Sequence, residues 1–180
     1  RFEITLFCYS DDDLTASDLG FRKRYPNLVV IRGLDDDAAA ELIRARGIDI
    51  LVDMKGHTRD ARVDLVNRGL APVQVAWLGF PGTCYGIDCD YILGDVIVLP
   101  DGSEPYYHEL FCRLPETYQC NDGKARPRPE PPPRSSLGLP EEAIVFGSFN
   151  KPAKITATVA GLWARVLAGV PDSVLWVLCQ

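Results

Sequence analysis

Between residues 2 and 119 short apolar runs alternate with segments whose apolar residues recur at helical spacing, and this alternation restricts the fold more than any other feature. Its most explicit stretch is DDDAAAELIRARGIDILVDM (35–54). Acids open it, Ala39, Leu42, Ile43 and the Ala45–Arg46 pair keep helical spacing, and Gly47 closes it. IDILVDM (48–54) then follows at once as a near-continuous apolar strand, of the kind that parallel sheets bury on both faces. Upstream, FEITLFCY (2–9) predicts a strand with Phe2, Ile4, Leu6 and Cys8 on one face, then a helix around 14–24 and a strand LVVIRG (28–33). Downstream, a helix around 59–68 leads to a strand PVQVAWLGF (72–80), and shorter strands are expected at 90–93, 96–99 and 109–114. The βαβαβ order predicts an α/β, doubly wound domain with right-handed crossovers.

Composition changes sharply at KARPRPEPPPRSS (124–136), whose five prolines exclude a helix or a central strand. An extended, polyproline-like linker is expected over 124–140, between a first lobe (1–123) and a second that starts at 141. EEAIVFGSF (141–149) restarts the α/β rhythm. Val159, Leu162, Trp163, Val166, Leu167 and Val170 then mark one helical face, with Thr156 as N-cap, Gly169 weakening the last turn and Pro171 blocking continuation. SVLWVL (173–178) returns as a strand. One βαβ unit cannot cover both faces of a sheet, so the second lobe is expected to continue beyond residue 180. With Arg1 already inside a strand pattern, the true N-terminus is expected to lie elsewhere as well.

The charge balance narrows the function classes. Nineteen basic against 25 acidic residues give a net charge of −6, which argues against a nucleic-acid groove. The acids of SDDD (10–13) and LDDD (34–37) read as solvated loops and as favourable charge near helix starts rather than as a metal site. Six cysteines at 8, 84, 89, 112, 120 and 179 form no CxxC pair, and His57 and His108 are the only histidines. No metal site is expected, and the thiols read as free side chains of a reducing, cytoplasmic compartment. No apolar run approaches the roughly 20 residues of a membrane span, and no signal-peptide pattern opens the chain.

Three loops carry candidate chemistry. In an open α/β sheet, ligands bind beyond the carboxyl ends of the strands. GSFNKPAKIT (147–156) sits at such an end and opens a helix, so free amides, Lys154 and Lys151 together suit a phosphate or diphosphate. A surface loop with two solvated lysines would read the same way. DMKGHTRDAR (53–62) carries Asp53, Lys55, His57, Thr58 and Arg59 after one strand. WLGFPGTCYG (77–86) sets Gly79, Gly82 and Gly86 around Pro81 after the next, where glycines permit close approach of backbone to a ligand or simply an ordinary turn.

ILVDMKGHTRDAR, APVQVAWLGFPGT, CDYILGD, LPETYQCND, SLGLPEEAIVFGSFNKPAKI and VPDSVLWVL occur in this order along the chain. Together they closely resemble the catalytic region of protein O-GlcNAc transferases, glycosyltransferase family 41, particularly the bacterial SPINDLY-like members. The resemblance implies a GT-B-type architecture: a Rossmann-like first lobe and the first βαβ unit of a second. It implies an inverting, metal-independent transfer of N-acetylglucosamine from UDP-GlcNAc to Ser or Thr hydroxyls of proteins, with no cofactor. The partners implied are a nucleotide-sugar donor and protein acceptors, with no nucleic acid and no membrane.

The same resemblance assigns residues. Lys154 falls on the family's essential diphosphate-contacting lysine, and Lys151 falls where animal enzymes have a glutamine that contacts the nucleotide. The expected donor-binding set is Asn150, Lys151 and Lys154 from one lobe and His57, Thr58, Pro81, Gly82 and Thr83 from the other. Asp49 stands where animal enzymes carry a histidine, and with His57 in the following loop it suggests a bacterial arrangement, but no general base is assigned. The resemblance implies that the histidine usually discussed as catalytic is to be expected upstream of residue 1, further donor-binding segments after residue 180, and tetratricopeptide repeats ahead of the whole region. The isolated chain is therefore expected to be inactive. A GDP-fucose donor, as in plant SPINDLY members, and a non-catalytic GT-B-like binding module remain as alternatives.

Overall fold

The computed structural model describes residues 2–10, 25–121 and 129–178. The helix expected around 14–24 lies outside the described residues, as does the start of the proline-rich stretch. The chain divides into two compact units, Arg1–Asn121 and Asp122–Gln180.

In the first unit every strand pairs in parallel. β1 (Leu6–Cys8) pairs with β2 (Leu28–Val30), and β3 (Ile50–Asp53), β4 (Val73–Ala76), β5 (Tyr91–Gly94) and β6 (Leu110–Arg113) form a sheet in that order. Helix α1 (Asp36–Arg44) joins β2 to β3, and the single-turn α2 (Val63–Val66) joins β3 to β4. The acids foreseen at the start of α1 act as such. Asp35 is the N-cap, its carboxylate accepting the Ala38 amide at 2.8 Å, and Asp36 and Asp37 occupy the first turn.

Two clusters make the core. Ala39, Ala40 and Ile43 of α1 pack with Ile31, Leu65 and Leu70, and Tyr9, Ile48 and Leu51 lean on them. Ala76, Cys84, Ile87, Cys89, Ile92 and Leu99 form the second, backed by Phe80, Tyr107 and Phe111. Both lie on one side of the four-stranded sheet. On the other side the register sets Val52, Val75, Tyr91 and Leu110 in one row, and Val52, Tyr91 and Leu110 are 42%, 37% and 64% exposed. The sequence predicts 48–54 as a strand buried on both faces. Instead β3 is an edge strand of this sheet, and among the described residues only one of its faces is covered.

Other expected elements are shorter, each for a local reason. The strand expected over 2–9 is bonded only at Leu6–Cys8, and Phe2 and Ile4 are exposed rather than packed. The helix expected over 59–68 reduces to α2, because Asp60 at φ 61 is left-handed and no right-handed helix runs through it. The strand expected over 72–80 stops at Ala76, two residues before Leu78 turns left-handed at φ 70.

VIVL (96–99) is not a strand but a turn folded around Asp95. The Asp95 carboxylate accepts the amides of Val98 (3.0 Å), Tyr118 (2.9 Å) and Ile97 (2.9 Å). These bonds, led by that of Val98, hold its pKa below the ordinary aspartate value against the opposing effect of desolvation. A depressed carboxylate stabilises the fold above the unfolded-state pKa of about 4 and loses that contribution as pH falls through the folded value. Hydrogen-exchange protection of the Ile97, Val98 and Tyr118 amides in the full-length protein is therefore expected to hold from pH 7 to about pH 4 and to fall below it. Asp95→Asn should show reduced protection already at pH 7, and protection that is equal in the two proteins would remove the carboxylate from this role.

The second unit is one parallel βαβ: β7 (Ile144–Ser148), α3 (Ala157–Gly169) and β8 (Ser173–Val177). Ahead of it Pro133 keeps polyproline dihedrals (φ −60, ψ 142), and residues Arg134–Leu137 then make one turn of 3-10 helix within the stretch expected to be extended. The Arg134 guanidinium donates to the carbonyls of Pro140, Glu141 and Ala143 and ties that turn to the start of β7. Thr156 caps α3 as foreseen, its hydroxyl accepting the Val159 amide. The six-residue apolar face of α3 is wider than what packs: Val159, Trp163, Leu167 and Val170 are half-buried, while Leu162 and Val166 are exposed. Two strands are too narrow to cover the full stripe.

Candidate functional site

In the second unit the loop between β7 and α3 builds a hollow of about 330 Å³, lined by Ser148, Asn150, Lys154, Ile155, Val159 and Trp163. Ser148 ends β7, and residues Pro152–Lys154 form a 3-10 turn closed by the Lys154 amide donating to the Lys151 carbonyl at 2.9 Å. That turn brings Lys154 back beside Asn150 and ahead of the α3 N-terminus. The capped Val159 amide is satisfied by Thr156, whereas the amides of Ala157 and Thr158 have no intrahelical carbonyl to bond. A cation and an amide side chain thus share one concave surface just ahead of a helix N-terminus, which is the chemistry an anion requires. Lys151 is exposed and does not line the hollow.

In the first unit the two candidate loops leave the carboxyl ends of β3 and β4 and interlock. Asp53 closes the first: its carboxylate accepts the amides of Lys55 (3.1 Å) and Gly56 (2.8 Å), and its carbonyl accepts the Trp77 amide (3.0 Å). Gly56 sits at φ 52, and a Cβ there would lie 2.7 Å from Phe80 Cβ and 2.9 Å from Cys84 Sγ. In return, a Cβ on Gly79 would lie 2.0 Å from the Met54 carbonyl oxygen. Leu78, beside it, is held left-handed at φ 70, a conformation that costs roughly 1–3 kcal/mol in a residue with a bulky side chain.

His57 is exposed and lies edge-on to Phe80, with centroids 5.3 Å apart. Its Nε2 donates to the Tyr85 carbonyl at 2.9 Å, so Nδ1 is the nitrogen left to meet a ligand. The Thr58 amide donates to the Lys55 carbonyl. Asp49 is exposed at the amino end of β3 and His57 lies past its carboxyl end, so the strand separates the two. Lys55 and Arg62 flank the Tyr9 ring at 5.8 and 5.9 Å, and Arg62 also bonds Asp36 and the carbonyls of Ile31 and Leu34. These contacts tie the loop after β3 to the end of β2.

The structure thus gathers Asn150 and Lys154 in the second unit. In the first it gathers His57, Thr58, Pro81, Gly82 and Thr83 on two touching loops. The Thr83 hydroxyl, however, points inward to Glu109 at 2.7 Å. Glu109 carries no signal in the sequence: it reads as the first residue of the strand expected over 109–114, and its role exists only once the second loop folds onto it. Cys84 and Cys89 beneath that loop are inert thiols. Burial foremost, with Glu109 adding to it for Cys84 and Asp53 for Cys89, pushes their pKa values up to about 11 and about 12.

Comparison with known proteins identifies the group to which this arrangement belongs. The profile of glycosyl transferase family 41 matches residues 1–126 and 132–180. The chain is 32% identical over 185 residues, 99% of its length, to the probable UDP-N-acetylglucosamine–peptide N-acetylglucosaminyltransferase SEC of Arabidopsis thaliana, and covers 19% of that protein. It is 36% identical over 151 residues, 83% of its length, to the corresponding SPINDLY protein of Petunia hybrida, and covers 16% of it. Among solved structures, a lysine-to-methionine mutant of the Thermobaculum terrenum O-GlcNAc transferase superposes with a TM-score of 0.76 at 33% identity, over 96% of this chain and 32% of that one. The chain therefore spans less than a fifth of the plant relatives and about a third of the solved protein. The parallel α/β units agree with the GT-B-type fold expected for a piece of such a protein. The chain belongs to glycosyl transferase family 41.

Proposed function

We propose that the protein carrying this chain transfers N-acetylglucosamine from UDP-GlcNAc to Ser and Thr hydroxyls of proteins, inverting the anomeric carbon and using neither a metal nor a resident cofactor. One observation carries the reading: Lys154 shares a concave surface with Asn150 at the carboxyl end of β7, directly ahead of α3, in a chain whose family relatives are named for this donor. As the bond from the sugar to the diphosphate breaks, negative charge grows on the leaving phosphate. A positioned ammonium and unpaired helix amides stabilise that charge more in the transition state than in the ground state, which accelerates the step. In the first unit, His57, Thr58, Pro81 and Gly82 are the residues assigned to donor contact, with Thr83 holding the end of their loop. The free thiols of Cys8, Cys84, Cys89, Cys112 and Cys120 suit a reducing cytoplasm, and no helix among the described residues is long and apolar enough to cross a membrane.

The test uses the full-length protein with UDP-GlcNAc and a Ser/Thr acceptor peptide, read by intact mass with and without a chelator. An N-acetylhexosamine adduct unaffected by chelation is expected. Its absence, or an adduct formed only from GDP-fucose, would overturn the donor assignment.

A further inference from the structure

The exposed stretch of the second loop is fastened at both ends. At its start, Leu78 is left-handed and Gly79 abuts the Met54 backbone. At its end, Thr83 and Cys84 are held by a residue from a different strand. Glu109 stands immediately before β6, and its side chain is 0% exposed. Both its oxygens face the loop: Oε1 accepts the Cys84 amide at 2.6 Å, and Oε2 accepts the Thr83 hydroxyl at 2.7 Å. His108 closes over the pair, with Nδ1 3.2 Å from Thr83 Oγ and 3.4 Å from Glu109 Oε2, while its Nε2 donates to the Ile87 carbonyl at 3.1 Å.

A carboxyl group shut away from water is unfavourable unless its lone pairs are filled, and an apolar side chain of similar volume would serve stability as well or better. Here the bonds that fill Oε1 and Oε2 are those that fix where Thr83 and Cys84 stand. Pro81 and Gly82, the expected donor contacts, lie directly between these two residues and the crowded Gly79.

We propose that Glu109 is the positioning residue of the Gly79–Thr83 loop, holding Pro81 and Gly82 in register for the nucleotide sugar; the proposal rests on the transferase reading above. It acts through the loop rather than on the substrate. Displacing reacting groups by about 1 Å can cost about 100-fold in rate, so the effect belongs in kcat per folded molecule.

The experiment compares Glu109→Leu with Glu109→Gln in the full-length protein. A glutamine keeps both bonds: its amide oxygen accepts the Cys84 amide, and its NH2 donates to a Thr83 hydroxyl that has turned around. Glu109→Leu is expected to lower kcat per folded molecule about 100-fold and to speed exchange of the Cys84 amide at least about tenfold. Glu109→Gln should stay within about threefold of wild type on both measures. If the leucine variant does not fold, Thr83→Val removes the hydroxyl's bonds to Glu109 and His108 while leaving the Cys84 bond, and should lower kcat about tenfold. A folded leucine variant with wild-type kcat per folded molecule, or a Thr83→Val variant with wild-type kcat, overturns the proposal. Unchanged Cys84 exchange in the leucine variant overturns the anchoring whatever the reaction. A wild-type protein that transfers no sugar defeats the transferase reading instead, which keeps the two failures apart.

Discussion

Replacing Lys154 with alanine in the full-length protein is expected to lower kcat for sugar transfer by about 100- to 1,000-fold, the effect of removing one preorganised charge-stabilising donor from a transition state. Lys154 is exposed and lines the hollow beside Asn150, so its ammonium supports no core packing. Stability should therefore change by no more than about 0.5 kcal/mol. Donor affinity should weaken less than kcat falls, because the charge on the departing phosphate is largest in the transition state. Lys154→Arg keeps the charge but spreads it over a planar fork, and is expected to recover only part of the rate. Lys151→Ala is the informative control, since Lys151 lies outside the hollow, and a smaller loss is expected there. Steady-state kinetics with UDP-GlcNAc, together with melting curves, check all three. Wild-type kcat and donor binding in Lys154→Ala would remove this residue from the site.

Gly79→Ala is expected to produce the largest stability loss of any single methyl added to the first unit, roughly 3 kcal/mol. The new Cβ would meet Met54 O at 2.0 Å, Met54 C at 2.9 Å and Lys55 Cα at 3.1 Å. All three are main-chain atoms at the end of β3, so no side chain can rotate away. Either β3 shifts against β4, or the loop after β4 lifts. Gly82→Ala, three residues on, would meet only the Phe80 ring at 3.5 Å, an ordinary contact, and is expected to cost well under 1 kcal/mol. Denaturant midpoints of the two variants should differ accordingly, and Gly79→Ala unfolding together with wild type would contradict the close approach of the two loops.

What the sequence made legible was periodicity and punctuation. The acids at 35–37 mark the start of α1, Thr156 and Pro171 bracket α3, and strand positions follow the apolar runs. Lengths were overestimated because apolar character outlasts hydrogen bonding. Residues 96–99 read as a strand but form a turn, since the Asp95 carboxylate takes their amides out of any ladder. Burial was misjudged for 48–54 because an apolar run does not reveal whether both its faces are covered. Of the expected residues Asn150, Lys151 and Lys154, which share one short loop ahead of a helix, the first and last line the hollow and Lys151 does not, a difference that the loop sequence does not show. The interlock of Gly56 with Phe80 and of Gly79 with Met54 was not legible, and neither was Glu109, since each depends on residues brought together from separate strands.

The mutual fit of those two loops also bears on how such a protein can diverge. A side chain larger than hydrogen at position 56 meets the Phe80 Cβ at 2.7 Å and the Cys84 sulfur at 2.9 Å, and one at position 79 meets the Met54 peptide. Drift along this rim should therefore proceed by paired exchanges, one on each loop. Lineages that acquire a new sugar preference through the first unit are expected to carry correlated changes at positions 54–56 and 79–84 rather than isolated ones.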